Sequence, residues 1–263
     1  MHRIRVAIAF MLAVALTGAS AQESSELIDT YRRNFVRSSL GTKLELLKEA
    51  SAYDGVDMGP LYDTAIQFVL SNASLLSTDA LLRDISVLSV NMVRKYKYAP
   101  AAGHLWELFG IYKDALVRVP LLQTLAEVAV GNPAILKELN AFVDTQVSLA
   151  KSGVRIDQAV LDAAIYSLGR LGDSSSFPFL FAAYTASIGK AVTDRAGAAM
   201  ASLKGDYAAF LAEVIRSSPP ADKAAALEAG LRGGALPEER RGELAEVALS
   251  VGVSYQSPSS GDQ

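Results

Sequence analysis

The stretch 161–184, LDAAIYSLGRLGDSSSFPFLFAAY, constrains the fold of this chain more than any other. An apolar segment runs into Gly172-Asp173, serines follow, and a second apolar segment opens around Pro178. Glycine ends a helix by adopting the left-handed conformation, and proline is tolerated in a helix's first turn. The stretch therefore predicts a helical hairpin. One hairpin cannot bury both faces of its own helices, so neighbours must stack on it. Candidate neighbours are present. Breaks at Gly131-Asn132, Gly172-Asp173, Gly205-Asp206 and Gly233-Gly234 recur at intervals of 41, 33 and 28 residues, with Ala99-Pro100 one unit earlier. This spacing lies near the periods of helical solenoids.

The remaining segments also read as helices. Residues 23–38 place Leu27, Ile28, Tyr31, Phe35 and Val36 on one side and Arg32, Arg33 and Arg37 around the other. A short helix over 43–52 can be capped by Thr42, with Leu44, Leu47 and Ala50 facing inward. The Asp54-Gly55 pair marks a turn, Pro60 opens a helix to residue 70, and Ser77-Thr78-Asp79 offers a cap for 80–96. An aromatic helix in AAGHLWELFGIY precedes segments 115–130 and 134–150; Pro120 sets the start of the former or kinks it. Further helices are expected over 190–203, 207–216, 219–232 and 238–251. No alternating β-branched run bounded by hairpin turns occurs. The expected fold is all-α: an α-solenoid of stacked antiparallel hairpins with roughly a dozen helices. Residues 22–255 read as one helical-repeat domain, less regular over 22–115 and repeat-like over 116–255, with 256–263 a polar disordered tail.

Ala164, Leu168, Gly169, Leu171, Gly172, Asp173, Pro178 and Leu180 together resemble a HEAT-like (HEAT/armadillo-like) repeat. In that family the small residue and leucines pack the first helix, Gly-Asp forms the tight turn, and proline and leucine open the second. The unit at Gly205 keeps Ala199, Leu203, Gly205 and Asp206 without the proline, and the unit at Gly131 has Asn132 for the aspartate. The resemblance spans 160–216 and extends weakly to 250. It implies an elongated scaffold with a concave binding surface. Tetratricopeptide repeats have a period of about 34, but their Trp, Gly, Tyr and Pro spacing is absent.

The first 21 residues read as a secretory signal peptide. Arg3 and Arg5 form the basic start, 6–16 is apolar, and Ala19-Ser20-Ala21 supplies the small residues for cleavage before Gln22. That apolar run is too short to span about 30 Å of hydrocarbon. Loss of this leader leaves 23 basic against 28 acidic residues. The expected location is periplasmic or secreted, with no transmembrane segment after cleavage. The absence of a basic excess argues against nucleic acid as partner. There is no cysteine, which excludes disulfides, thiolate metal sites and cysteine nucleophiles. No cofactor or metal is predicted.

Candidate chemistry is sparse. Ser148/Lys151 and Ser187/Lys190 match S-x-x-K, but the order of motifs and the strand required by serine–lysine acyl transfer are missing. Asp54 and Asp57 lack the later oxygens of a calcium loop. His104 adjoins Trp106 and Glu107, where a carboxylate could orient the imidazole. The sharpest surface feature is Arg94-Lys95-Tyr96-Lys97-Tyr98. Three cations and two tyrosines can grip an acidic partner, or can complement a helix dipole. With His104, Trp106 and Tyr112 they form the predicted partner-binding patch. Phe177, Phe181 and Tyr184 share a helix face and are expected in the core, with Phe179 pointing elsewhere. The function expected is a non-catalytic exported scaffold that binds another protein in the cell envelope. Alternatives are an envelope polymer such as peptidoglycan as ligand, or a hydrolase whose acid or base is a groove carboxylate such as Glu107.

Overall fold

The computed structural model describes residues 24–76, 79–232 and 236–256. The predicted leader, the Gly233-Gly234 break and the tail after Gln256 lie outside the described residues. The helices are α1 (24–37), α2 (Leu40–Ser51), α3 (Gly59–Ser71), α4 (Ala80–Tyr96), α5 (Ala102–Ile111), α6 (Ala115–Val128) and α7 (Pro133–Lys151). They continue with α8 (Gln158–Leu171), α9 (Phe177–Thr185), α10 (Lys190–Ser202), α11 (Ala208–Ser217), α12 (Pro220–Arg232) and α13 (Glu238–Gln256). The fold is all-α. Among the described residues no strand forms, and the one isolated β-bridge joins Asp173 to Lys204. No helix among them is long and apolar enough to cross a membrane.

Most helices begin where a short polar side chain can serve the first free amides. At seven helix or turn starts among the described residues, an Asp or Asn at position i accepts the N–H of i+2. The pairs are Asp57–Gly59, Asp79–Leu81, Asp114–Leu116, Asn132–Ala134, Asp157–Ala159, Asp173–Ser175 and Asp206–Ala208, at 2.9–3.1 Å. The aspartates of the Gly-Asp pairs are therefore occupied with turn chemistry. Two expected boundaries shift. Ser39, not Thr42, caps α2, because its hydroxyl accepts the Thr42 N–H and the helix starts at Leu40. Pro120 lies inside α6, whose start is set by Asp114. The last helix reaches Gln256, the residue where a disordered tail was expected to begin.

Where the break pattern predicts a single domain, the chain divides into two compact units between Thr124 and Leu125, within α6. Helices bury their apolar stripes on partners close in sequence, so contacts concentrate within a few hairpins. In the first unit α3 packs on α4 and α5, and α2 packs on α4. Leu47, Leu61, Tyr62, Ile66, Leu82, Ile85, Leu105 and Leu108 form its fully buried centre. From α1, Tyr31 and Phe35 turn inward, and Phe35 meets Phe68 edge-on at 5.7 Å. Val36, expected on the same side, is 65% exposed, because one residue rotates the side chain about 100° around the helix.

In the second unit α7 packs on α8 and α9, α10 packs on the same two helices, and α11 to α13 pack on one another. Several contacts between α8–α9 and α10–α11 join residues 33 positions apart. Arg195 donates to Asp162 at 3.0 Å, the Ser202 hydroxyl to the Gly169 carbonyl at 2.9 Å, and Phe177 meets Phe210 at 5.8 Å. The turns also meet: the Lys204 N–H donates to the Gly172 carbonyl at 2.7 Å. Gly169 permits this approach, since a Cβ there would lie 2.9 Å from the Ala199 Cα. Phe177 and Phe181 are buried, as expected, while Phe179 and Tyr184 are half-buried.

Candidate functional site

The most concentrated polar chemistry lies in the first unit, where α3 faces α5. The apolar stripe of α3 is interrupted by Asp63 and Gln67, one turn apart and hence on one face. Asp63 Oδ1 lies 2.7 Å from His104 Nδ1, and Oδ2 accepts from Gln67 Nε2 at 2.9 Å. The aspartate side chain is 13% exposed and the imidazole 36%, so the pair opens to solvent through the histidine. With the carboxylate as acceptor, Nδ1–H donates, and in the neutral imidazole that leaves the lone pair on Nε2. This is the orientation a general base requires.

Further groups surround the pair. Tyr98 packs its ring against Gly59, where a Cβ would lie 2.6 Å from the ring. Burial raises the Tyr98 phenol above its ordinary pKa; Asp63 and Asp57 add to the rise and Arg32 opposes it. Arg32 Nε donates to the Thr64 hydroxyl at 3.0 Å, which in turn donates to the Pro60 carbonyl at 2.9 Å. The result is a small polar surface built from α1, α3, α5 and Tyr98 of the segment before α5, with one oriented imidazole. Among the described residues no group of three or more His, Asp or Glu side chains could hold a metal ion.

The predicted patch does not converge. Arg94 reaches across to Gln123 at 3.1 Å, whereas Lys95 turns to the Ser51 carbonyl at 3.4 Å and Asp54 at 3.9 Å. Tyr96 stacks on the buried Tyr62 with ring centres 6.1 Å apart. Lys97 ends α4 in the left-handed conformation, φ 50°, and is exposed. Trp106 stacks on Phe109 at 5.0 Å and is half-buried. Tyr112 is corrected to a core residue: it is 6% exposed, and its hydroxyl sits 2.8 Å from that of Ser86. Of the eight residues, Tyr98 and His104 belong to the polar surface. The exposed Glu107 does not partner His104; Asp63, distant in sequence, does. An Asp and a Gln spaced i, i+4 within the apolar stripe YDTAIQFVL were the available signal for it.

The serine–lysine matches do not assemble. Ser148 and Lys151 are both exposed at the end of α7, and Lys190 pairs with Asp194 at 2.5 Å. A cleft of about 770 Å³ lies between α11 and α13, but its Arg240 is already paired with Asp206 at 3.0 Å and Glu243 at 2.7 Å. Comparison with family models, curated proteins and solved structures finds no match to this chain.

Proposed function

We propose that this chain is an exported, non-catalytic helical-repeat scaffold of the HEAT-like kind that binds a protein partner in the cell envelope. The observation that supports it most is the packing of α8–α9 against α10–α11, in which three contacts fall 33 residues apart. Repeated hairpins held in register extend a surface, and extended surfaces of this kind serve as docking platforms. Export rests on the leader pattern of residues 1–21.

Crosslinking in intact cells, followed by purification from envelope extracts, tests the reading. The expected result is a reproducible protein partner and a mature N-terminus at Gln22. Recovery of no protein partner, or a chain retaining Met1 in the cytoplasm, overturns it. One observation favours a second reading, a hydrolase. Asp63 holds the His104 ring through Nδ1 at 2.7 Å, the arrangement by which a carboxylate orients an imidazole base. Under that reading His104→Gln abolishes turnover, whereas a scaffold keeps its partner.

A further inference from the structure

The outer face of α1 bears Arg32, Arg33, Val36 and Arg37, which with Thr64 of α3 line an open groove of about 430 Å³. Among the described residues one acid, Asp29, shares it, 3.7 Å from Arg32. Arg32 is further held by Thr64. Arg33 makes a long bond to the Thr30 hydroxyl, 3.4 Å, and Arg37 has no hydrogen-bond or ion-pair partner among the described residues. Cations in the last turn of a helix commonly serve its free carbonyls and its dipole. Here that task is taken by Lys43 of α2. Its buried ammonium donates to the carbonyls of Phe35, Ser38 and Val36 at 2.6, 2.7 and 3.1 Å. Arg37 is thus left without a partner among the described residues and Arg33 with only a long local bond, and both are exposed. The chain as a whole carries a net charge of −3, so this basic face is local.

We propose that this face docks an acidic helical segment of a protein partner, with two carboxylates one turn apart beside an aliphatic side chain. Arg33 and Arg37 are spaced i, i+4, which sets their guanidinium groups about one 5.4 Å helical turn apart. Each guanidinium can take a carboxylate through two parallel hydrogen bonds. Val36, 65% exposed between them and Arg32, gives the aliphatic group a dry contact. An apolar centre flanked by cations matches a peptide better than a bare inorganic anion. The inference deepens the scaffold reading and rests on it for the partner's being a protein.

The test is fluorescence anisotropy with the full chain and a labelled alanine-rich helical peptide carrying Glu-x-x-x-Glu next to a leucine. Saturable binding that weakens as salt is added is expected. Arg33→Gln with Arg37→Gln should weaken it at least about tenfold, as should Val36→Asp or a peptide with Gln for Glu. Unchanged affinity of the double variant, with a helical spectrum matching the parent, overturns the proposal. So does equal binding of the Gln peptide, or displacement by inorganic phosphate at the peptide's own concentration. Crosslinking separates this inference from the scaffold reading. Partner capture by the double variant at the parent's level removes this surface and leaves the scaffold intact, whereas no capture by the parent removes the scaffold.

Discussion

At Lys43 a charged side chain performs the work of a helix cap. It is 3% exposed, its ammonium meets three carbonyls, and it lies over the Phe35 and Phe68 rings at 5.0 and 4.8 Å. Burial lowers its pKa below the ordinary lysine value. Lys43→Met preserves the chain length and apolar packing but leaves those carbonyls unserved. A loss of about 1.5–3 kcal/mol in urea denaturation is expected, the value of hydrogen bonds to a charged group. An unchanged midpoint would mean that water replaces the ammonium there. The sequence marked His104 and the polar break in α3 but not that Asp63 meets His104, nor that Lys43 is buried against α1. A helical pattern places a side chain on a face, but it does not say which distant polar group will meet it. Lys43 falls beside Leu44 and Leu47 in the order of residues, yet only the end of α1, folded against it, makes a buried cation tolerable.

At the scale of elements, the contact of α8 with α10 depends on a residue without a side chain. An alanine at Gly169 would bring its Cβ to 2.9 Å from backbone and side-chain carbons of Ala199, in the interior of two helices that cannot give way separately. Gly169→Ala should cost about 1–3 kcal/mol, the range for overpacking. Gly41→Ala in α2 is the internal control. Nothing lies within 4 Å of the added carbon, and helix propensity favours the change by about 0.5–1 kcal/mol. Thermal denaturation should move the two variants in opposite directions; the same direction for both would contradict the packing account. Much of this level was legible beforehand. Gly172 adopts φ 72° as the turn requires, and Asp79 caps α4. Caps and turns depend on residues close in sequence, so local chemistry decides them. Tyr112 was misplaced for the opposite reason: it follows α5 in sequence, but Ser86 of α4 determines its environment.

For the molecule as a whole, buried tyrosines predict a loss of stability at alkaline pH. Tyr31, Tyr62, Tyr96, Tyr98, Tyr112 and Tyr207 all have phenol pKa values raised chiefly by burial. The folded chain therefore keeps protons that the unfolded chain releases above about pH 10. Their contribution to stability is complete below that pH and is lost as pH rises through the folded-state values. Lys43 acts in the opposite sense, as one group against six. Urea midpoints should fall steadily above pH 10, and Tyr62→Phe should flatten the decline; an equal slope in that variant would remove Tyr62 from the account. The all-α class and the positions of most helix ends were determined by the sequence, because spacing, caps and breakers act within a few residues. The division into two units within α6, the pairing of His104 with Asp63, the scattering of Arg94 to Tyr98 and the exposure of Val36 between arginines were decided only by tertiary structure. Each depends on which helix faces meet, and that is set by packing between residues far apart in the chain.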